Sequence, residues 1–411
     1  VLGRLRLGMP TRVIHIAGTN GKGSSAAMLE ALLMNGGERV GVYMSPHLHR
    51  YNERIRLNGA PVSDDTIVSS FERVESARQK TPLTYFEFGT LAAMVAFEES
   101  DADTVVLEVG MGGRLDAVNA VEPDAGIITN VSLDHCDWLG EDIESIAAEK
   151  AGIFRPGKPF VFGADIVPQA ILASAAAYDA DLRLRGRDFD YQTDSGHPGS
   201  WAWSGREYRI GPLAAPALAG QFQIQNAAAV LALLEAIGLD QLLDAPVIDK
   251  ALGQIELAGR CQPFKTDRNW LLDVAHNADA AKALSEYIAK TAPFCSRVAV
   301  IGVLADKDID GIVSPLAGHV DTWVAVTAGH ARAVAARELA AHIANLTDRP
   351  CLAADGVPEA MQYAHDSAGD DDVILVTGSF YAVGPALQWL TRKLHEIRPQ
   401  TGLSCELRVN E

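Results

Sequence analysis

Cysteine, basic residues and long apolar runs are all in short supply, and each shortage excludes something. The five cysteines of this 411-residue chain, Cys136, Cys261, Cys295, Cys351 and Cys405, are scattered, odd in number and without a C-x-x-C pair. That argues against a disulfide framework and suits a reducing cytoplasm. Only 35 lysines and arginines stand against 53 aspartates and glutamates, a formal net charge of -18. Such a balance speaks against a general nucleic-acid or membrane-surface binder, because phosphate-rich partners need basic patches. An anionic substrate must then be held by local positive charge, from a metal ion, a lysine or backbone N–H groups. Uninterrupted apolar runs such as 227–234 are far too short to span a bilayer. No secretory pattern stands at Val1, and no internal repeat is visible. The chain does not open with methionine, so some native sequence is expected ahead of Val1.

What is present is ordinary for a globular enzyme: 48% hydrophobic and 21% charged residues. A chain of 411 residues exceeds what one core usually supports, which predicts two domains. Strand-like runs at 13–17, 39–44, 104–109, 125–130 and 159–163 alternate with helical stretches. That rhythm predicts an α/β fold, a doubly wound parallel sheet with helices on both faces. Alternation in 183–192 and 200–211, split by the turn-rich "TDSGHPG", predicts an antiparallel hairpin appended to the sheet. A helix is expected at about 224–237, and then a fresh set of βα units: "WLLDVAHN", "RVAVIGVLADKD", "TWVAVTAG" and "VILVTGSF". The expected domains are 1–257 and 258–411, the second a smaller Rossmann-like α/β domain.

The stretch "VIHIAGTNGKGSSAAMLEALL", residues 13–33, places two glycines and a lysine between a strand and a helix. Backbone N–H groups at a helix start lack intrahelical partners, and the helix dipole adds positive character there, so the turn reads as an anion site. Gly21 and Gly23 let the main chain approach a phosphate, Lys22 reaches outer phosphates, and the Ser24 hydroxyl suits magnesium. The usual phosphate-loop glycine five positions before the Gly-Lys pair is Ile16 here, leaving a shorter variant that starts at Gly18.

In open α/β sheets ligands sit beyond the carboxyl ends of the strands, and several polar residues fall there. Ser45, Glu108 and His135, with Ser24, offer hard oxygen ligands and one imidazole, a set suited to magnesium. Each has a plainer reading: Ser45 as a turn residue before Pro46, Glu108 as a paired core carboxylate, His135 as a satisfied histidine beside Asp134 and Asp137. Lys150, at the end of a predicted helix, reads by itself as a surface lysine favouring a helix C-terminus. Arg260, Asp273, His276 and Asn277 cluster near the domain junction and a strand end, and Ser379 ends another strand. A helix cap explains Asn277 or Asp279 equally well.

Together these segments resemble the folylpolyglutamate synthase and dihydrofolate synthase family, within the ATP-dependent Mur-type ligases. The resemblance covers nearly the whole chain and rests on "AGTNGKGS", "SPHLHRYNERIRLNG", "TYFEFGTLAAMVAF", "LEVGMGGRLDAVN", "SLDHCDWLG", "EKAGIFRPG", "QNAAAVLALLE", "AGRCQ", "LDVAHNADAA" and "GSFYAVG". It implies that Thr19, Asn20, Gly21, Lys22, Gly23 and Ser24 bind ATP phosphates, with Asn226, Arg260 and Asp273 as further ATP contacts. It implies that Ser24, Ser45, Glu108 and His135 ligate Mg2+, joined by Lys150 once that lysine is carbamylated. Thr84, Tyr85, Phe86 and Glu87, with Leu115, Asp116 and Ala117, match segments lining the pterin-side pocket; the alternative for Tyr85, Phe86 and Phe88 is helix-face packing. His276 and Ser379 match positions that orient glutamate or phosphate, and Lys22, Lys150 and His276 are the catalytic candidates. The family's frequent "AHNP" is "AHNAD" here, and Cys136 replaces a common threonine.

The implied activity is ATP-dependent addition of L-glutamate to dihydropteroate and to reduced folates through an acyl phosphate, releasing ADP and phosphate. The expected enzyme is a cytoplasmic monomer with small-molecule partners only and no nucleic acid or membrane. Alternatives are a folylpolyglutamate synthase alone, or a Mur-like ligase with another acceptor. A regulatory GTP switch is suggested by the loop and by "DWLG", but no guanine-reading N-K-x-D occurs in the chain.

Overall fold

β-branched residues in Arg12–Ala17 form strand β1, whose alternate side chains enter two different cores. Ile14 and Ile16 pack on one face of the sheet with the helices Lys22–Asn35 and Phe222–Ala236. Val13 and Ala17 pack on the other face, with residues of the helices Tyr85–Glu99, Ile143–Ala151 and Gln169–Tyr178. A strand buried on both sides reads as a continuous apolar run, as parallel sheets require. The computed structural model describes residues 1–194, 196–197, 199–291 and 297–401, with side chains to residue 396. Cys295, Cys405, and Ser195 and Pro198 of the expected turn lie outside the described residues.

The chain divides into two compact units, Val1–Leu257 and Ala258 onward. In the first, β1 is joined by β2 (Val40–Tyr43), β3 (Ile55–Leu57), β4 (Ala60–Pro61), β5 (Thr104–Glu108), β6 (Ala125–Ile128), β7 (Pro159–Phe162) and β8 (Asp181–Leu184). Their order is β4-β3-β2-β5-β1-β6-β7-β8, parallel from β2 to β8, with β3 and β4 added antiparallel. The pair β3 and β4 was not legible in the sequence, being two short, partly exposed strands.

The expected antiparallel hairpin is present, its arms pairing over 190–193 and 200–204, and it is extended by a third strand. Residues 181–184 join the large sheet as its parallel edge β8, while β9 (Asp190–Thr193), β10 (Ser200–Ser204) and β11 (Arg209–Ala214) make a separate antiparallel sheet. Alternation alone did not separate these outcomes, because Leu182 and Leu184 bury one side of β8 just as they would in a hairpin arm. Trp201 and Trp203 of β10 bury against the first core, and the Trp203 indole donates to the Ala228 carbonyl at 3.1 Å.

The second unit holds β12 (Gln262–Lys265), β13 (Asn269–Leu272), β14 (Arg297–Ile301), β15 (Thr322–Val326), β16 (Cys351–Ala354) and β17 (Val373–Thr377). The order β12-β13-β17-β14-β15-β16 is parallel except for the edge strand β12. Both edges, β12 and β16, are partly exposed and only four residues long, too short to announce themselves in the sequence.

One core residue of β1 is polar. His15 is fully buried, and neither ring nitrogen meets a partner at hydrogen-bond geometry. Burial, reinforced by the Arg155 charge, pushes its pKa down to about 3. An unfolded histidine protonates near pH 6.5, so between those values the unfolded chain binds the extra proton, and stability falls as pH drops through that window. Replacing His15 with Leu is therefore expected to narrow the gap between urea midpoints at pH 7 and pH 4.5. An unchanged gap would refute the buried neutral imidazole as an acid-sensitive element.

Candidate active site

Between β1 and the helix Lys22–Asn35, the loop is built around two glycines with positive φ. Gly18 has φ +143°, and a Cβ there would overlap the Thr129 hydroxyl; Gly21 has φ +84°, and a Cβ would lie 2.6 Å from Asn226 Oδ1. Only glycine suits both positions. A Cβ on Gly23 would meet only Leu257 at 3.9 Å, so the protein itself does not demand that glycine, and the space suits an approaching ligand.

The carboxyl end of β6 clamps the loop. Thr129 Oγ1 donates to the Asn20 carbonyl at 2.5 Å, and Asn130 Oδ1 accepts from Asn20 N at 2.9 Å and Thr19 N at 3.2 Å. Ser132 N donates to Thr19 Oγ1 at 3.0 Å. From the other side, Gln223 Nε2 donates to Ser24 Oγ at 3.2 Å, and Asn226 Nδ2 donates to Gln223 Oε1 at 3.0 Å. Sequence reasoning singled out Asn226 and missed Thr129, Asn130 and Gln223. "GIITN" and "FQIQN" put polar side chains beside apolar runs, and that was the clue available.

Two lysines converge on one carbonyl. Lys22 Nζ donates to Gly18 O at 3.0 Å and to Thr19 O at 3.1 Å, and Lys150 Nζ donates to the same Gly18 O at 3.0 Å. Lys150 is only 4% exposed, so the surface-lysine reading fails. Burial, with the Lys22 charge adding to it and Asp134 opposing, pushes the Lys150 pKa down to about 7. Its amine is therefore substantially neutral near neutral pH.

Strands β2, β5, β1 and β6 are neighbours, so their carboxyl ends set Ser45, Glu108, the glycine loop and the 129–135 segment side by side. Glu108 is buried, and its Oε2 accepts from Ser45 N at 2.8 Å. His135 adopts a left-handed conformation, φ +55°, before the short helix Cys136–Leu139, and its N–H donates to Asp134 Oδ1 at 2.9 Å. Among the described residues no three His, Cys, Asp or Glu side chains form a metal-ready group. The expected set contains only two of that kind, Glu108 and His135, completed by the hydroxyls of Ser24 and Ser45. Such sparse, mainly oxygen donors fit magnesium, which keeps waters and substrate phosphates in its shell.

The expected substrate segments are partly taken up by local structure. Thr84 and Glu87 form a reciprocal capping box at the start of the helix Tyr85–Glu99. Phe86 packs 5.7 Å from the Tyr43 ring and over Gly110, where a Cβ would lie 2.6 Å from it. Asp116 accepts from Met111 N at 2.9 Å and Val118 N at 3.0 Å, while burial raises its pKa against their pull. Ala117 opens the 3-10 turn that follows. Tyr85, Leu115 and Trp138 are 63%, 79% and 74% exposed, so helix-face packing does not account for Tyr85.

In the second unit, Asp273 follows β13 and is buried; Oδ2 accepts from Cys261 N at 2.7 Å and Oδ1 from Ala275 N at 2.8 Å. Burial raises its pKa, with the Arg260 charge opposing. The Arg260 guanidinium lies 5.1 Å from the Phe380 ring centroid. His276 Nδ1 lies 2.8 Å from the Val274 carbonyl, which assigns the proton to Nδ1. Asn277 caps the helix Ala278–Thr291 through Ala280 N at 3.0 Å. Ser379 is buried and donates to Gly302 O at 2.7 Å, tying the ends of β17 and β14 together.

Comparison with known proteins places this architecture. The Mur ligase middle domain matches residues 16–234, and the Mur ligase glutamate ligase domain matches residues 259–380. A dihydrofolate synthase/folylpolyglutamate synthase of Escherichia coli is 40% identical over 92% of this chain and 86% of its own. The structure of E. coli FolC in complex with DHPP and ADP superposes with a TM-score of 0.89 at 38% identity, covering 95% of this chain and 92% of the other. The bifunctional folylpolyglutamate synthase/dihydrofolate synthase of Yersinia pestis, complexed with AMPPNP and Mn ion, gives 0.85 at 38% identity, covering 95% and 93%. The chain thus belongs to the dihydrofolate synthase/folylpolyglutamate synthase family of Mur ligases, and is an ATP-dependent, ADP-forming ligase.

Proposed function

We propose that this ligase joins L-glutamate to dihydropteroate and to reduced folates, activating the acceptor carboxylate as an acyl phosphate. The observation that carries the reading is the meeting of Lys22 and Lys150 at Gly18, beside the strand ends that carry Ser45 and Glu108. The acceptor carboxylate is already ionised at neutral pH, so its attack on the γ-phosphorus of ATP needs no base. It needs two anions to be brought together, and Lys22 with the loop N–H groups supplies the positioning and the positive charge. The glutamate amine then attacks the acyl carbon and displaces phosphate. His276 is a candidate to orient that amine or the phosphate, with Nδ1 committed to Val274. Ser24, Ser45, Glu108 and His135 would hold a magnesium ion, which would supply Lewis-acid stabilisation to the phosphoryl oxygens.

The DHPP and ADP named with the E. coli relative, the AMPPNP and Mn named with the Y. pestis relative, and the glutamate ligase description of the second unit support these assignments. The three described cysteines are free thiols, which supports a cytoplasmic setting. No helix among the described residues is long and apolar enough to cross a membrane.

Lys150 is the site for carbamylation in this reading. Its neutral amine adds to CO2, forming an N–C bond and releasing one proton, and the resulting carbamate offers oxygen ligands where an ammonium offers none. Equilibration with 13C-bicarbonate is expected to give a carbamate carbon resonance that is absent from Lys150→Ala, together with a large loss of turnover in that variant. No resonance in the wild type would remove the carbamate from the mechanism.

Lys22→Ala is expected to lower ADP release by about a hundredfold or more while leaving the far-ultraviolet spectrum unchanged. Near-normal turnover in a folded variant would contradict the phosphate role. Steady-state assays with dihydropteroate and with tetrahydrofolate monoglutamate test the two acceptors. Both are expected to turn over, whereas turnover of the folate alone would restrict the enzyme to polyglutamate synthesis.

A further inference from the structure

The segment after β2 contains a positive charge that the mechanism above does not use. Arg54 closes the 3-10 turn Tyr51–Arg54 and is only 9% exposed. Its carbonyl accepts from Met44 N at 2.9 Å, which fixes it at the carboxyl end of β2, beside Ser45. Among the described residues it forms no salt bridge; its Nε donates to His47 Nδ1 at 2.8 Å. The neighbouring acid is turned elsewhere. Glu53 accepts from the backbone N–H groups of Leu48 at 2.7 Å, His49 at 2.9 Å and Arg50 at 2.7 Å, so its carboxylate organises the loop.

A guanidinium taken out of water without a carboxylate is expensive unless something else stabilises it. Part of that stabilisation is aromatic: its Cζ lies 5.6 Å from the Tyr51 ring centroid and 5.3 Å from that of Tyr85. The two rings meet edge to face at 5.9 Å. The absence of a side chain on Gly89 makes room for two hydroxyls, since a Cβ there would lie 2.5 Å from Tyr51 Oη and 2.9 Å from Tyr43 Oη. Burial pushes the pKa of the Tyr43 hydroxyl up, with the neighbouring Thr90 hydroxyl and Arg54 guanidinium opposing. A fork of donors, a buried hydroxyl and a largely exposed aromatic ring thus adjoin the segment assigned to the pterin side.

We propose that Arg54 is a carboxylate-binding residue, which holds the non-reacting α-carboxylate of an acceptor that already carries glutamate. The proposal rests on the reading of the chain as a folate-glutamate ligase, and it separates the two acceptors. An acceptor ending in glutamate presents two carboxylates, of which only the side-chain one is activated. Without a fixed anchor for the other, the two compete for the phosphoryl group. Dihydropteroate has a single carboxylate and needs no such anchor. The guanidinium fork matches a carboxylate in two-point geometry, and Tyr85 offers its exposed ring to the flat part of the same ligand.

The test is binding, which requires no turnover. Calorimetry on the full chain would compare tetrahydrofolate monoglutamate with its α-carboxamide, in the wild type and in Arg54→Gln. The wild type is expected to prefer the free α-carboxylate by about tenfold, and Arg54→Gln is expected to lose that preference, with Arg54→Lys keeping part of it. In assays, the ratio of kcat/KM for dihydropteroate over the monoglutamate is expected to rise about tenfold in Arg54→Gln. A wild type indifferent to the amide, a preference that survives Arg54→Gln, or equal losses for both acceptors would each overturn the proposal. The amide comparison in the wild type decides the matter even if Arg54→Gln does not fold. Failure of the wild type to turn over any folate-type acceptor would instead strike the ligase reading on which the proposal stands.

Discussion

The glycine loop of the first unit is organised around the Gly18 carbonyl, where two lysine side chains meet at hydrogen-bond distance. Burial and the Lys22 charge together disfavour a second ammonium on the same acceptor, so the Lys150 pKa falls to about 7. What the arrangement supplies is concentrated positive potential at one point of a chain whose formal charge is -18. The proposed reaction between two anions would require that potential to be local.

The parallel sheet does the placing. Four adjacent strands, β2, β5, β1 and β6, end on the same side, so residues far apart in sequence become neighbours without long loops. The hydroxyl of Ser24 is held from a helix about two hundred residues later, through Gln223, and the loop carbonyl of Asn20 is held from the end of β6 by Thr129. These contacts set the shape of the loop before any ligand arrives, which lowers the entropic penalty of ordering it on binding.

Legibility followed the physics of each element. The glycine loop was readable because a lysine and a serine at those offsets between a strand and a helix point to phosphate and metal, and β1, β5, β6 and β7 because doubly buried strands leave largely apolar runs. Strands β3, β4, β12 and β16 were not readable: they are short elements at or next to a sheet edge, defined by their partners more than by their own sequences. Lys150 is the clearest case of local sequence misleading, because a lysine at a helix end is usually solvated, and only the tertiary fold shows this one buried against Gly18. Arg54 went unnoticed for a related reason. Its sequence neighbour Glu53 suggests an ion pair, whereas the structure turns that carboxylate onto the loop backbone. Ser379 has a structural role its sequence position did not reveal, since its hydroxyl donates to Gly302 O.

The contact between Gly18 and Thr129 constrains how such a chain can change over time. Any side chain at position 18 collides with the threonine hydroxyl, and that same hydroxyl holds the Asn20 carbonyl. Removing the hydroxyl to make room loosens the loop, and adding the methyl first distorts it. Even without the hydroxyl, the Thr129 backbone and the φ of +143° still exclude a side chain at position 18, so this glycine is fixed by the strand end beside it.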